Sequence, residues 1–173
     1  MMDNENKFPQ RKHPRLDKYD YSSDGAYFIT ICTQNRRCIL SHIVGRGLAP
    51  AEMNHIEYSS WGKIAERQLN LLVERYSGLA IDQYVIMPNH IHAILILTDE
   101  TAGASPRPTI MDIVCAYKSL TTLACKKNGF TGKLFQNSFY EHIIRGREDY
   151  CEIRKYICEN PMRWHYDELY TED

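Results

Sequence analysis

Tyr84-Val85-Ile86-Met87-Pro88-Asn89-His90-Ile91-His92-Ala93-Ile94-Leu95-Ile96-Leu97 is an apolar run broken at one point by Pro-Asn and then by His-Ile-His. Pro88-Asn89 is turn chemistry, so the run divides into a strand ending near Met87 and a second strand from His90 to Leu97. A tight connection of this kind makes the two strands antiparallel neighbours. Residues i and i+2 of a strand point to one face, so His90 and His92 stand side by side at the start of the second strand. Two imidazoles so placed can hold one metal ion or serve as ordinary polar strand residues.

Outward from this hairpin the elements alternate. Upstream, Ala26 to Thr33 (AYFITICT) is β-branched and aromatic and predicts a strand, continued briefly by Cys38-Ile39-Leu40. Residues 41–57 read as irregular. Ser59 or Ser60 caps a helix whose inward stripe is Trp61, Ile64, Ala65, Leu69, Leu72 and Val73, ending near Ser77-Gly78. Downstream, Thr98 to Pro108 is a polar loop. Thr109 caps a helix with Ile110, Ile113, Val114, Tyr117, Leu120 and Ala124 on one stripe, ending at Asn128-Gly129. Leu134 to Arg145 is extended. A last helix runs from about Glu148 to Trp164, its inward stripe being Ile153, Tyr156, Ile157, Asn160 and Trp164. Pro161 removes a backbone donor there and predicts a kink. The order strand, helix, strand, strand, helix, strand, helix predicts an α+β fold, an antiparallel sheet with helices packed on its faces.

Composition sets outer bounds. The chain has 173 residues, 43% hydrophobic and 25% charged, with a formal net charge of −1. That is one globular domain, not a uniformly basic nucleic-acid binder. Charge is uneven. Residues 1–25 form a basic arm carrying Lys7, Arg11, Lys12, Arg15 and Lys18 with Tyr19 and Tyr21, and residues 167–173 form an acidic tail. Between them lies one domain, residues 26–166. Cations track phosphates and aromatic rings stack on unpaired bases, which makes Arg11, Lys12, Arg15, Tyr19 and Tyr21 candidates for nucleic-acid contact, with Arg36, Arg37, Lys118 and Arg145 beyond the arm. The six cysteines include no Cys-x-x-Cys pair, so a zinc knuckle is not expected. No apolar run is long enough to span a bilayer, and the polar start resembles no signal peptide. A cytoplasmic protein with reduced thiols is expected.

Tyr156 and Asn160 lie one turn apart on the last helix. A buried amide must be hydrogen-bonded or coordinated. If that helix packs on the histidine face, it presents Asn160 as an oxygen ligand and Tyr156 as a hydroxyl beside a metal held by His90 and His92. Such a site leaves coordination positions open, as catalysis requires, and fits phosphoryl transfer with a tyrosine nucleophile. Mg²⁺ and Mn²⁺ are both acceptable. Tyr140 and Tyr150 are rival nucleophiles, but neither has an oxygen ligand four residues on.

Arg11-Lys12-His13-Pro14-Arg15-Leu16, the stretch Tyr21 to Thr33, Met87-Pro88-Asn89-His90-Ile91-His92 and Tyr156-Ile157-Cys158-Glu159-Asn160-Pro161 together resemble the REP-associated tyrosine transposases, which belong with the insertion-sequence-200-like single-tyrosine HUH transposases. The resemblance covers roughly residues 11–166. It implies a ferredoxin- or RRM-like fold, His90 and His92 as metal ligands and Tyr156 as the nucleophile. It also implies a 5′-phosphotyrosine link to cleaved single-stranded DNA beside palindromic hairpins, read partly by an N-terminal arm. Asn160 stands where the wider family often has glutamine as third ligand. Phe135-Gln136 stands where the family usually has Trp-Gln; phenylalanine keeps the ring and loses the indole donor. A hairpin-binding module without catalysis is the alternative. Whether the protein is a monomer or a homodimer with sites shared between subunits is left open, with the packing of the last helix as the deciding feature.

Overall fold

The computed structural model describes residues 19–44, 55–98 and 108–172. Arg11, Lys12 and Arg15 lie outside the described residues. The main sheet has four strands, β1 (Gly25–Cys32), β4 (Leu79–Ile86), β5 (His90–Leu97) and β6 (Tyr140–Ile144), in the order β4-β5-β1-β6 with each adjacent pair antiparallel. A short hairpin, β2 (Ser41–Val44) with β3 (His55–Tyr58), stands beside it. The helices are α1 (Ser60–Arg75), α2 (Ile110–Lys127) and α3 (Gly146–Glu159). Without the small hairpin the chain order is β-α-β-β-α-β followed by α3, which is the ferredoxin-like arrangement, as expected from the sequence.

Alternation along β1 and β5 separates two cores. Tyr27, Ile29 and Ile31 of β1 and Ile91, Ala93 and Leu95 of β5 face α1 and α2, whose Ala65, Leu69, Leu72, Ile113, Val114 and Tyr117 cover them. Phe28 and Ile94 point the other way and, with Val85 and Met87, receive Ile157 and Trp164. His90 and His92 belong to this second face by the same period of two. Both main helices start on side-chain caps. Ser59 Oγ accepts from Gly62 N, and Thr109 and Asp112 form a reciprocal capping box.

Five local expectations change. Cys38-Ile39-Leu40 is not a strand; Gln34–Arg36 forms a single 3-10 turn with Asn35 and Arg36 at positive φ, and Leu40 N donates to Pro88 O. Residues 41–57 contain the β2–β3 hairpin, whose strands have four residues each, too short for their alternation to register. In the stretch 134–145 only Tyr140–Ile144 pairs as a strand, with one isolated bridge from Phe135 to Thr33. The last helix ends at Glu159, not Trp164. Pro161 cannot continue it, and Trp164 sits in a separate 3-10 turn, Trp164–Tyr166. Val73, expected inward, is 42% exposed.

Candidate active site

The Met87–His90 turn closes through Met87 N to His90 O at 2.8 Å and starts β5, an interior strand of the sheet, at His90. In register, His92 lies between Thr30 of β1 and Val85 of β4. The two rings are 0% and 2% exposed and their centroids are 4.4 Å apart. Each Nδ1 is occupied: that of His90 by Asn89 Oδ1 at 2.8 Å, that of His92 by Thr30 Oγ1 at 2.8 Å. Both Nε2 atoms therefore face the space beneath α3.

That helix lies on the histidine face. It is docked by buried Ile157, by Arg154 Nε to Asp82 Oδ2 at 3.5 Å, and by Gln83 Nε2 to Cys158 Sγ at 3.4 Å. Tyr156 is on its site side, half-exposed, with its hydroxyl 3.3 Å from His92 Nε2. Phe28 stacks on His92 at 5.2 Å between centroids and meets the Tyr156 ring edge-on at 6.2 Å. Trp164 walls the other side, 5.9 Å from His90. Asn160, at the end of α3, is 2% exposed, and its Nδ2 donates to Asp167 Oδ2 at 2.7 Å. Asp167 Oδ2 also accepts from the Tyr156 hydroxyl at 3.5 Å, and its Oδ1 accepts from Leu169 N at 2.6 Å.

Burial decides the protonation states. It pushes His90 down to about 3, and burial together with the neighbouring His90 holds His92 well below its usual range. Both are neutral nitrogen donors. Burial, reinforced by the Asp167 charge, raises the Tyr156 phenol to about 12, so its phenolate is disfavoured in the protein alone.

Two buried polar atoms here, His90 Nε2 and Asn160 Oδ1, have no hydrogen-bond partner within the described residues. An unpaired buried acceptor costs about 1–3 kcal/mol. Two in one site, beside a second imidazole and a carboxylate, fit a divalent cation. Among the described residues, His90, His92 and Asp167 form the group whose donor atoms all lie within 4.8 Å of one another. The donor set of imidazole nitrogen and oxygen is one that first-row divalent ions accept.

The other expected contact residues are placed differently. Tyr19 and Tyr21 pack on each other and on Tyr27, and the Tyr19 hydroxyl is 3.3 Å from that of Tyr27. They cover the α1–α2 core instead of the site. Arg36 Nη1 donates to Glu168 O, and Arg37 lies over Phe130 with Nη2 donating to Lys133 O. Lys118 Nζ donates to Asn137 O at 2.8 Å on the α2 side of the sheet. Arg145 is the N-cap residue of α3 and is exposed. Of the rival tyrosines, Tyr150 lies under Arg154, and Tyr140 is on β6 beside Phe28, 39% exposed. Sequence reading missed Asp167, Asn89 and Thr30. Asp167 was read as part of an acidic tail, since no periodicity marks it. The adjacency of Asn89 to His90 was the one available signal.

The fold is that of the REP-associated tyrosine transposases. A solved structure of one of them, bound to a REP hairpin, matches with a TM-score of 0.60 and 21% identity over 89% of this chain and 77% of that one, which bears out at the level of fold the resemblance read from the sequence. A transposase-designated protein of Deinococcus radiodurans R1 matches with a TM-score of 0.44 and 18% identity, over 84% of this chain and 95% of that one. No protein-family model matches the chain. An uncharacterised protein of Haemophilus influenzae is 32% identical over 177 aligned residues, spanning 94% of each, and the chain belongs to that protein's family. No helix among the described residues is long and apolar enough to cross a membrane.

Proposed function

We propose that the protein is a metal-dependent transposase and endonuclease that nicks and rejoins single-stranded DNA beside hairpins, with Tyr156 as nucleophile. The observation that carries this reading is the convergence of the Tyr156 hydroxyl, His90 Nε2, His92 Nε2 and Asn160 Oδ1 over one sheet face, two of them buried and unpaired. His90, His92 and Asn160 would hold the cation, Mg²⁺ or Mn²⁺. The chemistry such an ion supplies is neutralisation of charge on a phosphodiester oxygen and on the phenolate. Asp167 lies next to it as a balancing carboxylate.

In the cleavage step Tyr156 Oη bonds to phosphorus and the P–O3′ bond breaks. The DNA is left 5′-linked to the tyrosine, and the departing 3′ oxygen takes a proton to become a 3′-OH. Asp167 Oδ2, 3.5 Å from the Tyr156 hydroxyl, accepts the phenol proton. Attack by another 3′-OH reverses the step and rejoins the strand. Arg145 at the head of α3 and the basic arm bearing Arg11, Lys12 and Arg15 contact the DNA backbone, and the hairpin bound by the structural relative supports a hairpin-bearing strand as the substrate. One chain carries both the histidines and the tyrosine, consistent with a site complete in a monomer.

The test is incubation of purified protein with a 5′- or 3′-labelled single strand containing a palindromic hairpin, with and without Mn²⁺ or Mg²⁺. A denaturation-resistant protein–DNA adduct that requires the ion is expected. Hairpin binding with no adduct under any ion would replace this reading with that of a silent binding module.

A further inference from the structure

Asn89 is completely buried in the β4–β5 turn, and each polar atom of its side chain has a partner. Its Nδ2 lies 2.8 Å from the Leu169 carbonyl, which can only accept, so the amide nitrogen must be on that side. The same Nδ2 donates at 3.1 Å to Thr171 Oγ1, whose own proton goes to Arg36 O at 3.1 Å. The amide cannot be turned over without setting two oxygens against each other at Leu169. Asn89 Oδ1 is therefore the atom 2.8 Å from His90 Nδ1, and an amide oxygen only accepts. It follows that His90 carries its proton on Nδ1 and has a bare lone pair on Nε2, the atom that is buried and unpartnered in the site.

We infer that Asn89 is a positioning residue that locks His90 in the Nδ1–H tautomer, and that the C-terminal segment Leu169–Thr171 sets the lock by orienting the Asn89 amide. The segment that reads as a solvated acidic tail is thus structural support for a ligand atom. Partners behind a ligating imidazole fix its tautomer and ring orientation, and losing one typically costs 10- to 100-fold in metal affinity. The bearing on metal binding rests on the reading proposed above; the tautomer itself does not.

Long-range proton–nitrogen NMR of the metal-free, full-length protein reads the tautomer directly. His90 is expected to show a protonated Nδ1 and an unprotonated Nε2. A protonated Nε2 in the wild type would overturn the inference before any variant is made. In Asn89→Leu the His90 signals should move to a mixed or reversed tautomer, and Mn²⁺ should bind about 10- to 100-fold more weakly. Asn89→Asp, which keeps an acceptor against Nδ1 but gives up the donor to Leu169 O, should keep the Nδ1–H tautomer while loosening the Leu169–Thr171 segment. A folded Asn89→Leu with unchanged tautomer and unchanged Mn²⁺ affinity refutes the role. Failure of the wild type to bind Mn²⁺ at all would sink the metal reading above, while the NMR arm still decides the tautomer.

Discussion

The Tyr156 hydroxyl and His92 Nε2 are 3.3 Å apart, although one residue is on α3 and the other on β5, 64 positions earlier in the chain. The contact ties a half-exposed phenol to an almost completely buried imidazole. It exists because α3 is docked onto the histidine face of its own sheet through Ile157 and the Arg154–Asp82 pair. The proposed nucleophile and the proposed metal ligands are thereby brought together within one chain.

Tyr156→Phe removes one oxygen atom and leaves the ring that packs edge-on against Phe28. The expected result is complete loss of the covalent adduct with hairpin affinity and thermal stability nearly unchanged, checked by gel-resolved adduct formation and a binding titration. Tyr140→Phe and Tyr150→Phe should both retain the adduct. If either of those abolishes it while Tyr156→Phe does not, the nucleophile has been misassigned.

Asp167 has two effects of opposite sense on the phenol. Its charge helps to hold Tyr156 up at about 12, and its Oδ2 is the acceptor for the phenol proton. Asp167→Asn keeps an oxygen to receive the Asn160 amide and removes the charge. The Tyr156 phenol should then titrate nearer its ordinary value of about 10, read by tyrosinate absorbance or Cζ chemical shift. Mn²⁺ should bind more weakly, by about tenfold or more. An unchanged Tyr156 titration would mean that burial alone sets it.

Both site histidines are held neutral by burial, His90 down to about 3 and His92 well below its usual value. Their pKa values are depressed on folding, so between about 6.5 and the folded values the unfolded chain binds protons that the folded one does not. Acid therefore favours unfolding. The stability they contribute is complete above about pH 6.5 and is lost as pH falls towards 3, by up to about 1.4 kcal/mol per pH unit for each imidazole. Carboxylates join only below about pH 4–5. Urea unfolding of metal-free protein between pH 7 and 5 should show this slope, and His90→Leu/His92→Leu should flatten it. Equal slopes in the two proteins would show that other groups carry the effect.

The large elements and the second sheet face were readable because they repeat: strand alternation through His90 and His92, and the helical stripe ending in Tyr156, Ile157 and Asn160. What escaped was set by contacts distant in sequence. Asp167 and Leu169 follow the helix break at Pro161, and only the folding back of that segment brings them to Asn160 and Asn89. Ser41–Val44 and His55–Tyr58 are strands because they pair with each other and because the Ser41 hydroxyl donates to Ile86 O at 2.8 Å. Tyr19 and Tyr21 look like stacking residues beside a basic arm, yet their rings complete the α1–α2 core around Tyr27. Aromatic residues serve packing and base stacking alike, and only placement separates the two.

Gly62 offers a stability test independent of the chemistry. It lies in the first turn of α1 and looks like a poor helix residue, since glycine costs about 1 kcal/mol relative to alanine in a helix interior. Propensity alone predicts that Gly62→Ala stabilises. Yet a Cβ at Gly62 would stand 2.0 Å from the Leu40 carbonyl oxygen and 3.0 Å from its carbon. That oxygen accepts the Ser59 N–H at 2.9 Å, and the Leu40 N–H in turn donates to Pro88 O in the turn that precedes His90. The obstacle is backbone held on both sides and cannot swing away as a side chain would. Steric conflict should therefore outweigh propensity. Gly62→Ala should destabilise by about 1–3 kcal/mol, with a fall in Tm of about 2–4 °C for each kcal/mol in a chain of this size. Because the displaced carbonyl is linked to the Pro88-Asn89 turn, the amide resonances of Asn89 and His90 should shift more than those of α2. A neutral or stabilised Gly62→Ala would show that α1 can move away from Leu40, and that the close approach of helix and loop does not fix the position of the turn.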